Sequence, residues 1–222
     1  MTTKIDTKYH FPLGQFQHCR YFLEWAKSHY KSFRKIYDKQ GPPFQPKSFE
    51  EISLAVILSV MALEAFLNEM AVHALKNSPN KLTEQDKERL KRQTESGHCS
   101  YWSIKVILSE FTKMVVGKNF PKGRADSHWA NLRRLLRYRN DLVHLSPDSS
   151  DDLSLGWGYR VQKNGGLIKE DNIMISGTQM VFRRVAENCD FDPSTAVKGI
   201  ITNIVNLGYK LDTSFKDALT SI

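Results

Sequence analysis

The chain has 222 residues, 41% of them hydrophobic and 25% charged, a balance that suits one globular domain and excludes disordered and collagen-like classes. Its 32 Lys and Arg against 24 Asp and Glu leave a formal charge of +8, which points toward a polyanionic partner without naming one. Three cysteines, Cys19, Cys99 and Cys189, are too few and too widely spaced for a disulfide framework, so a reducing, cytoplasmic setting is expected.

From Gln15 to Lys39, apolar residues (Phe16, Cys19, Phe22, Leu23, Ala26, Tyr30, Phe33, Tyr37) recur every three or four positions until GPP at Gly41 to Pro43 stops them. That predicts a first amphipathic helix. A second, from about Phe49 to Leu75, is apolar on most of its circumference and belongs at the centre of the core. Its most apolar run, Leu54 to Leu67, is interrupted by Ser59 and Glu64 and falls short of the roughly 20 residues of a bilayer span. The polar start MTTKIDTKYH lacks the apolar core of a signal peptide, so no membrane association is expected.

Thr83 is placed to cap a short charged helix over EQDKERLKRQ. Tyr101 to Val116 carries Ile104, Ile107, Leu108, Phe111 and Val115 at helical spacing, with Gly117 placed to end it. Asp126 or Ser127 then starts a helix that runs to about His144, before Pro147. Leu153 to Ser176 changes character: LSLGWGYRV, QKNGG and LIKEDNIMI suit a small β-hairpin-like insertion. Gln179 to Glu187 is ambiguous and reads as a short helix. Asp192 with Pro193 opens a last helix lined by Val197, Ile200, Ile201, Ile204, Val205 and Leu211. The fold class expected is all-α: a helical bundle of four to five long helices in one domain over residues 1–222, with an insertion at 148–192.

The helix ending LRRLLRYRNDLVH is the unusual one. At about 100° per residue, Leu132, Leu135, Leu136, Leu142 and Val143 share one side, with Arg139 in their middle. Arg133, Arg137, Asn140 and His144 form a separate polar stripe. An arginine among leucines needs an opposite charge or hydrogen-bonding partners. Glu64, inside VMALEAFLNEMA with Asn68 one turn further on, is the matching anomaly, and a direct pairing of Arg139 with Glu64 is expected. The plainest reading of that pair is a clamp between two helices, with His144 a helix-end histidine favoured by the dipole. The alternative is chemical. Asn140 and His144, four apart, project together, and the long Arg139 side chain can reach them. A titratable imidazole, an amide and a cationic fork suit phosphodiester chemistry without a metal.

Arg139-Asn140-Asp141-Leu142-Val143-His144 resembles the Arg, Asn, spacer, His signature of the HEPN superfamily (higher eukaryotes and prokaryotes nucleotide-binding domains), helical bundles that include many metal-independent endoribonucleases. The segment ALEAFLNEMA, Ala62 to Ala71, is similar to second-helix text of bacterial members. The resemblance covers the helices from about Phe16 to His144 and the final helix more loosely; Leu153 to Ser176 has no counterpart. It implies a homodimer in which two motif helices face each other and build one RNA cleft. His144 would then serve as general base or acid for attack of the ribose 2'-hydroxyl. Arg139 would stabilise the transition state, Asn140 would orient phosphate or imidazole, and Glu64 with Asn68 would support Arg139 from behind. A toxin or phage-defence role and an antitoxin partner belong to the same implication. Some members carry a tyrosine two residues beyond the histidine, modified by a partner nucleotidyltransferase; here Ser146 stands there, which does not fit that control.

Two further signals stand in the sequence. His18-Cys19 and His98-Cys99 lack the closely spaced ligand pairs of zinc sites, so no metal or other cofactor is expected. Basic residues gather in KSHYKSFRK and between Lys113 and Arg139, either as solvated helix faces or, for Arg133 and Arg137, as a phosphate path, with Tyr138 or Trp129 for base stacking. Three functions remain open from sequence: the ribonuclease, a non-catalytic RNA-binding or regulatory module, and an interaction protein clamped by Arg139 and Glu64.

Overall fold

The computed structural model describes residues 17–40, 46–77, 81–95, 104–120, 127–143, 153–161, 167–176, 185, 191–210, 216–217 and 219–220. The class is all-α. In chain order the helices are α1 (Gln17–Gln40), α2 (Pro46–Asn77), α3 (Glu84–Glu95), α4 (Ile104–Val116), α5 (Ser127–Val143) and α6 (Pro193–Asn206). Between α5 and α6, β1 (Leu153–Val161) and β2 (Leu167–Ser176) pair antiparallel from Leu153 opposite Ser176 to Val161 opposite Leu167, with a shift of register between Gly156 and Gly158.

The helix ends follow local chemistry. Thr83 Oγ1 accepts from the Asp86 amide at 3.1 Å while Asp86 Oδ2 accepts from the Thr83 amide at 3.2 Å, a reciprocal cap that starts α3. Gly117, at φ 76°, donates to the Lys113 carbonyl and closes α4. Asp192 accepts from the Ser194 amide at 2.9 Å and Pro193 occupies the first turn, so α6 begins where the sequence places it. Its end differs from expectation. Gly208, at φ 117°, turns the chain after Asn206, so the apolar line stops before Leu211, which lies outside the described residues. Of the short helix expected over Gln179 to Glu187, only Val185 is described; it is helical and buried.

Helix α2 organises the rest, because every other helix packs against it and α1 lies along it over the longest interface. Leu63, Phe66, Leu67 and Met70 are fully buried at spacings of three and four that put them on one face, and Ala62 and Ala71 widen the buried arc to about half of the circumference. Cys19, Leu23 and Phe33 of α1, Ile107 and Phe111 of α4, Leu132 and Leu135 of α5, and Ile200 and Ile204 of α6 complete the core. Ser59, a polar interruption in the apolar run, is buried and donates to the Ala55 carbonyl at 2.7 Å, so it adds no unpaired group. The buried Glu51 meets His29 Nδ1 of α1 at 2.7 Å and Lys47 Nζ at 3.3 Å, which anchors the α1–α2 contact at its other end.

The apolar stretch of α2 is longer than the run from Leu54 to Leu67. Lys47–Asn77 is long and apolar enough to cross a membrane by length and composition, and 56% of its most apolar window is buried inside the protein. Core contact with five helices and a bilayer demand the same composition, which is why the short interrupted run understates it.

Candidate functional site

On α5, Leu132, Leu135 and Leu136 are buried, whereas Arg133, Arg137 and Asn140 are exposed, as the wheel predicts. Arg139 is half-buried between these faces. Its Nη1 donates to Asn140 Oδ1 at 3.2 Å, so two of the three expected groups come together at the end of the helix. His144, the third, lies outside the described residues.

Three expectations for this helix are corrected. Tyr138 is buried, only 5% exposed, and forms part of the core, so its ring does not stack on a base. Trp129 is buried too, its ring 5.8 Å from that of Phe120. Both aromatics are taken up by packing because α5 is held between α2 and α6, which leaves a narrower solvent face than a free amphipathic helix has. Val143, placed with the leucines by spacing, is 48% exposed near the helix end.

Across the α2–α5 contact, Glu64 is half-buried and Asn68 sits one turn further along α2. The direct Arg139–Glu64 ion pair does not form: among the described residues Glu64 makes no contact of ion-pair length. The Arg139 guanidinium bonds within its own helix instead. The two charges still sense each other. Burial pushes the Glu64 carboxyl above its ordinary value, and the positive field of Arg139 offsets part of that rise. Asn68 Oδ1 is buried with no hydrogen-bond partner among the described residues.

Glu64 and Asn68 also line a groove of about 300 Å³ between α1 and α2. Phe22 of α1 and Met61 and Ala65 of α2 supply its apolar surface. At one end His18 Nδ1 lies 3.2 Å from Glu69 Oε1. Sequence reading did not find this groove. Its signals, Glu69 one residue after Asn68 and His18 on the first helix, acquire meaning only when α1 docks on α2. Beneath it Cys19 is fully buried, and desolvation pushes its thiol well above the ordinary value, with Glu69 adding to the effect. Burial likewise raises the Tyr209 hydroxyl, whose oxygen is 3.3 Å from His73 Nδ1.

Among the described residues no three His, Cys, Asp or Glu side chains gather in a way that can hold a metal ion. His98 and Cys99 lie outside the described residues. Compared with known proteins, the chain matches no family model, no curated protein and no solved structure.

Proposed function

We propose that this protein is a metal-independent endoribonuclease of the HEPN type, acting in the cytoplasm as a homodimer in which two α5 helices frame one RNA cleft. In this reading the helices around α2 are the family's bundle of four to five helices, and the strands after α5 are an insertion. The observation that carries it is the polar assembly at the end of α5: Arg139 bound to Asn140 at 3.2 Å, with the half-buried Glu64 electrostatically coupled to it from α2. A cation near a half-buried carboxylate, yet not consumed in an ion pair with it, retains its donors for a phosphate.

The chemistry follows from the groups. A ribose 2'-oxygen attacks the adjacent phosphorus and loses its proton to a base, the bond from phosphorus to the 5'-oxygen breaks, and that oxygen takes a proton. The products are a 2',3'-cyclic phosphate and a 5'-hydroxyl. His144 is the proton carrier in this scheme. Arg139 stabilises the charge on the phosphorus oxygens, with Asn140 orienting either partner. Arg133 and Arg137, exposed on the same stripe, extend the phosphate path. A toxin or phage-defence effector held by an antitoxin is the biological role that suits such an enzyme, and RNA is the polyanion that suits the charge of +8.

The test is RNA incubated with the purified chain in EDTA. The enzyme reading requires new 5'-hydroxyl ends that persist in the chelator and vanish in His144→Ala at unchanged helicity. Salt-sensitive RNA retention without new ends identifies a binding module instead. Neither retention nor cleavage rejects the proposal and leaves the polar groups at the end of α5 without a role toward RNA.

A further inference from the structure

We propose that the groove between α1 and α2 is a docking site for an arginine side chain of a different protein. Its hydrogen-bonding wall is the Glu64 carboxylate, which has no ion-pair partner among the described residues, with Asn68 lining the same wall one helical turn away. Glu69 adds negative charge at the far end, already met by His18. A guanidinium can meet the Glu64 carboxylate with two parallel donors, a geometry that a single ammonium does not offer.

The apolar surface fits the rest of that side chain. Phe22 offers an aromatic ring against which a planar guanidinium packs, while Met61 and Ala65 suit a methylene stem. About 300 Å³ is at the small end of ligand sites and accommodates one long side chain with a neighbour.

The surroundings favour a protein over a nucleic acid. Trp25, 56% exposed, stands edge-on to Phe22; Tyr21 is 47% and Met61 38% exposed. Tryptophan, tyrosine and methionine are the residue types that anchor protein interfaces. Two carboxylates repel the phosphates that would accompany a base. A second copy docking by twofold symmetry about this groove would oppose carboxylates to carboxylates, so the occupant is another chain. This inference stands whether or not the α5 end cleaves RNA.

The probe is the tripeptide acetyl-Leu-Arg-Leu-amide, titrated into the full chain labelled at its methionine methyls, with the Met61 signal assigned from Met61→Leu. A saturable Met61 shift is expected. It weakens about tenfold when neutral citrulline replaces the arginine, and about tenfold in Glu64→Gln, whose helicity is unchanged. Equal binding of the citrulline peptide overturns the proposal without need of any variant. So does the absence of a Met61 shift up to about 10 mM peptide. A shift caused by guanosine with the arginine peptide silent reassigns the groove to a nucleic-acid base. A shift caused by protein concentration alone reassigns it to self-association.

Discussion

Helices α2 and α5 both carry charge inside apolar text, yet they spend it differently. On α5 the pattern is clean: Leu132, Leu135 and Leu136 inward, Arg133, Arg137 and Asn140 outward. On α2 apolar residues run nearly all round, and the strip through the exposed Met61 and the half-buried Glu64 and Asn68 is chemically distinct only in two residues. An amphipathic helix states its own orientation, whereas a helix apolar on every side leaves its free face to be decided by which neighbours arrive. The contrast separates the two candidate sites: one at the end of a helix that declares its polar face, the other in a groove that exists only because α1 does not cover all of α2.

Four tests break or sharpen this contrast. The core side of α2 is the most costly to disturb. Phe66 is fully buried with its ring 6.3 Å from that of Tyr209, so Phe66→Ala is expected to lower unfolding free energy by about 3–5 kcal/mol in a denaturant titration. A loss below about 1 kcal/mol would mean that α2 is not the central element.

Next is the contact that sets the solvent face of α5. A Cβ at Gly199 of α6 would overlap the His128 ring. Gly199→Ala is expected to destabilise by about 1–3 kcal/mol despite the better helix propensity of alanine, and Gly199→Ala combined with His128→Ala to recover part of it. Simple stabilisation would show that the two helices are further apart.

On the free side of α2 the sign reverses. Burial holds the Glu64 carboxyl above its ordinary value of 4.5, so the folded protein keeps that proton after the unfolded chain has released it. Stability therefore falls as pH rises from about 4.5 through the raised value, and the deficit persists at neutral pH. Glu64→Gln should raise Tm slightly at pH 7 and leave it unchanged well below 4.5. A lowered Tm at neutral pH would reveal that the Arg139 interaction outweighs desolvation.

The smallest stability effect belongs to the exposed stripe of α5. Arg133→Ala and Arg137→Ala should each change unfolding free energy by no more than about 0.5 kcal/mol. If the stripe carries phosphate, each also lowers the salt slope of RNA binding by about one. An unchanged slope would leave these arginines as solvated surface.

The legible parts were those set by local rules. Asp192, Thr83 and Gly117 mark helix ends through hydrogen bonds spanning a few residues, so the text around them is sufficient. Arg133, Arg137 and Asn140 fell on one exposed face because helical geometry alone puts them there. The burial of Tyr138 is not legible for the same reason in reverse: amphipathic spacing does not show how far α6 encroaches on α5. A direct Arg139–Glu64 pair depends on the distance between two helices, which spacing within one helix does not fix, and the flexible Arg139 side chain bonds Asn140 instead.

By itself, the order of residues determined which stretches become helices, where several of them stop, and that an arginine and an asparagine stand together near the end of α5. Those depend on interactions within a turn or two of helix. The groove beside Glu64, the loss of Tyr138 to the core and the close approach of Gly199 to His128 were decided only by tertiary packing. They depend on which surfaces meet, and that is fixed by the joint burial of all the helices rather than by any one of them.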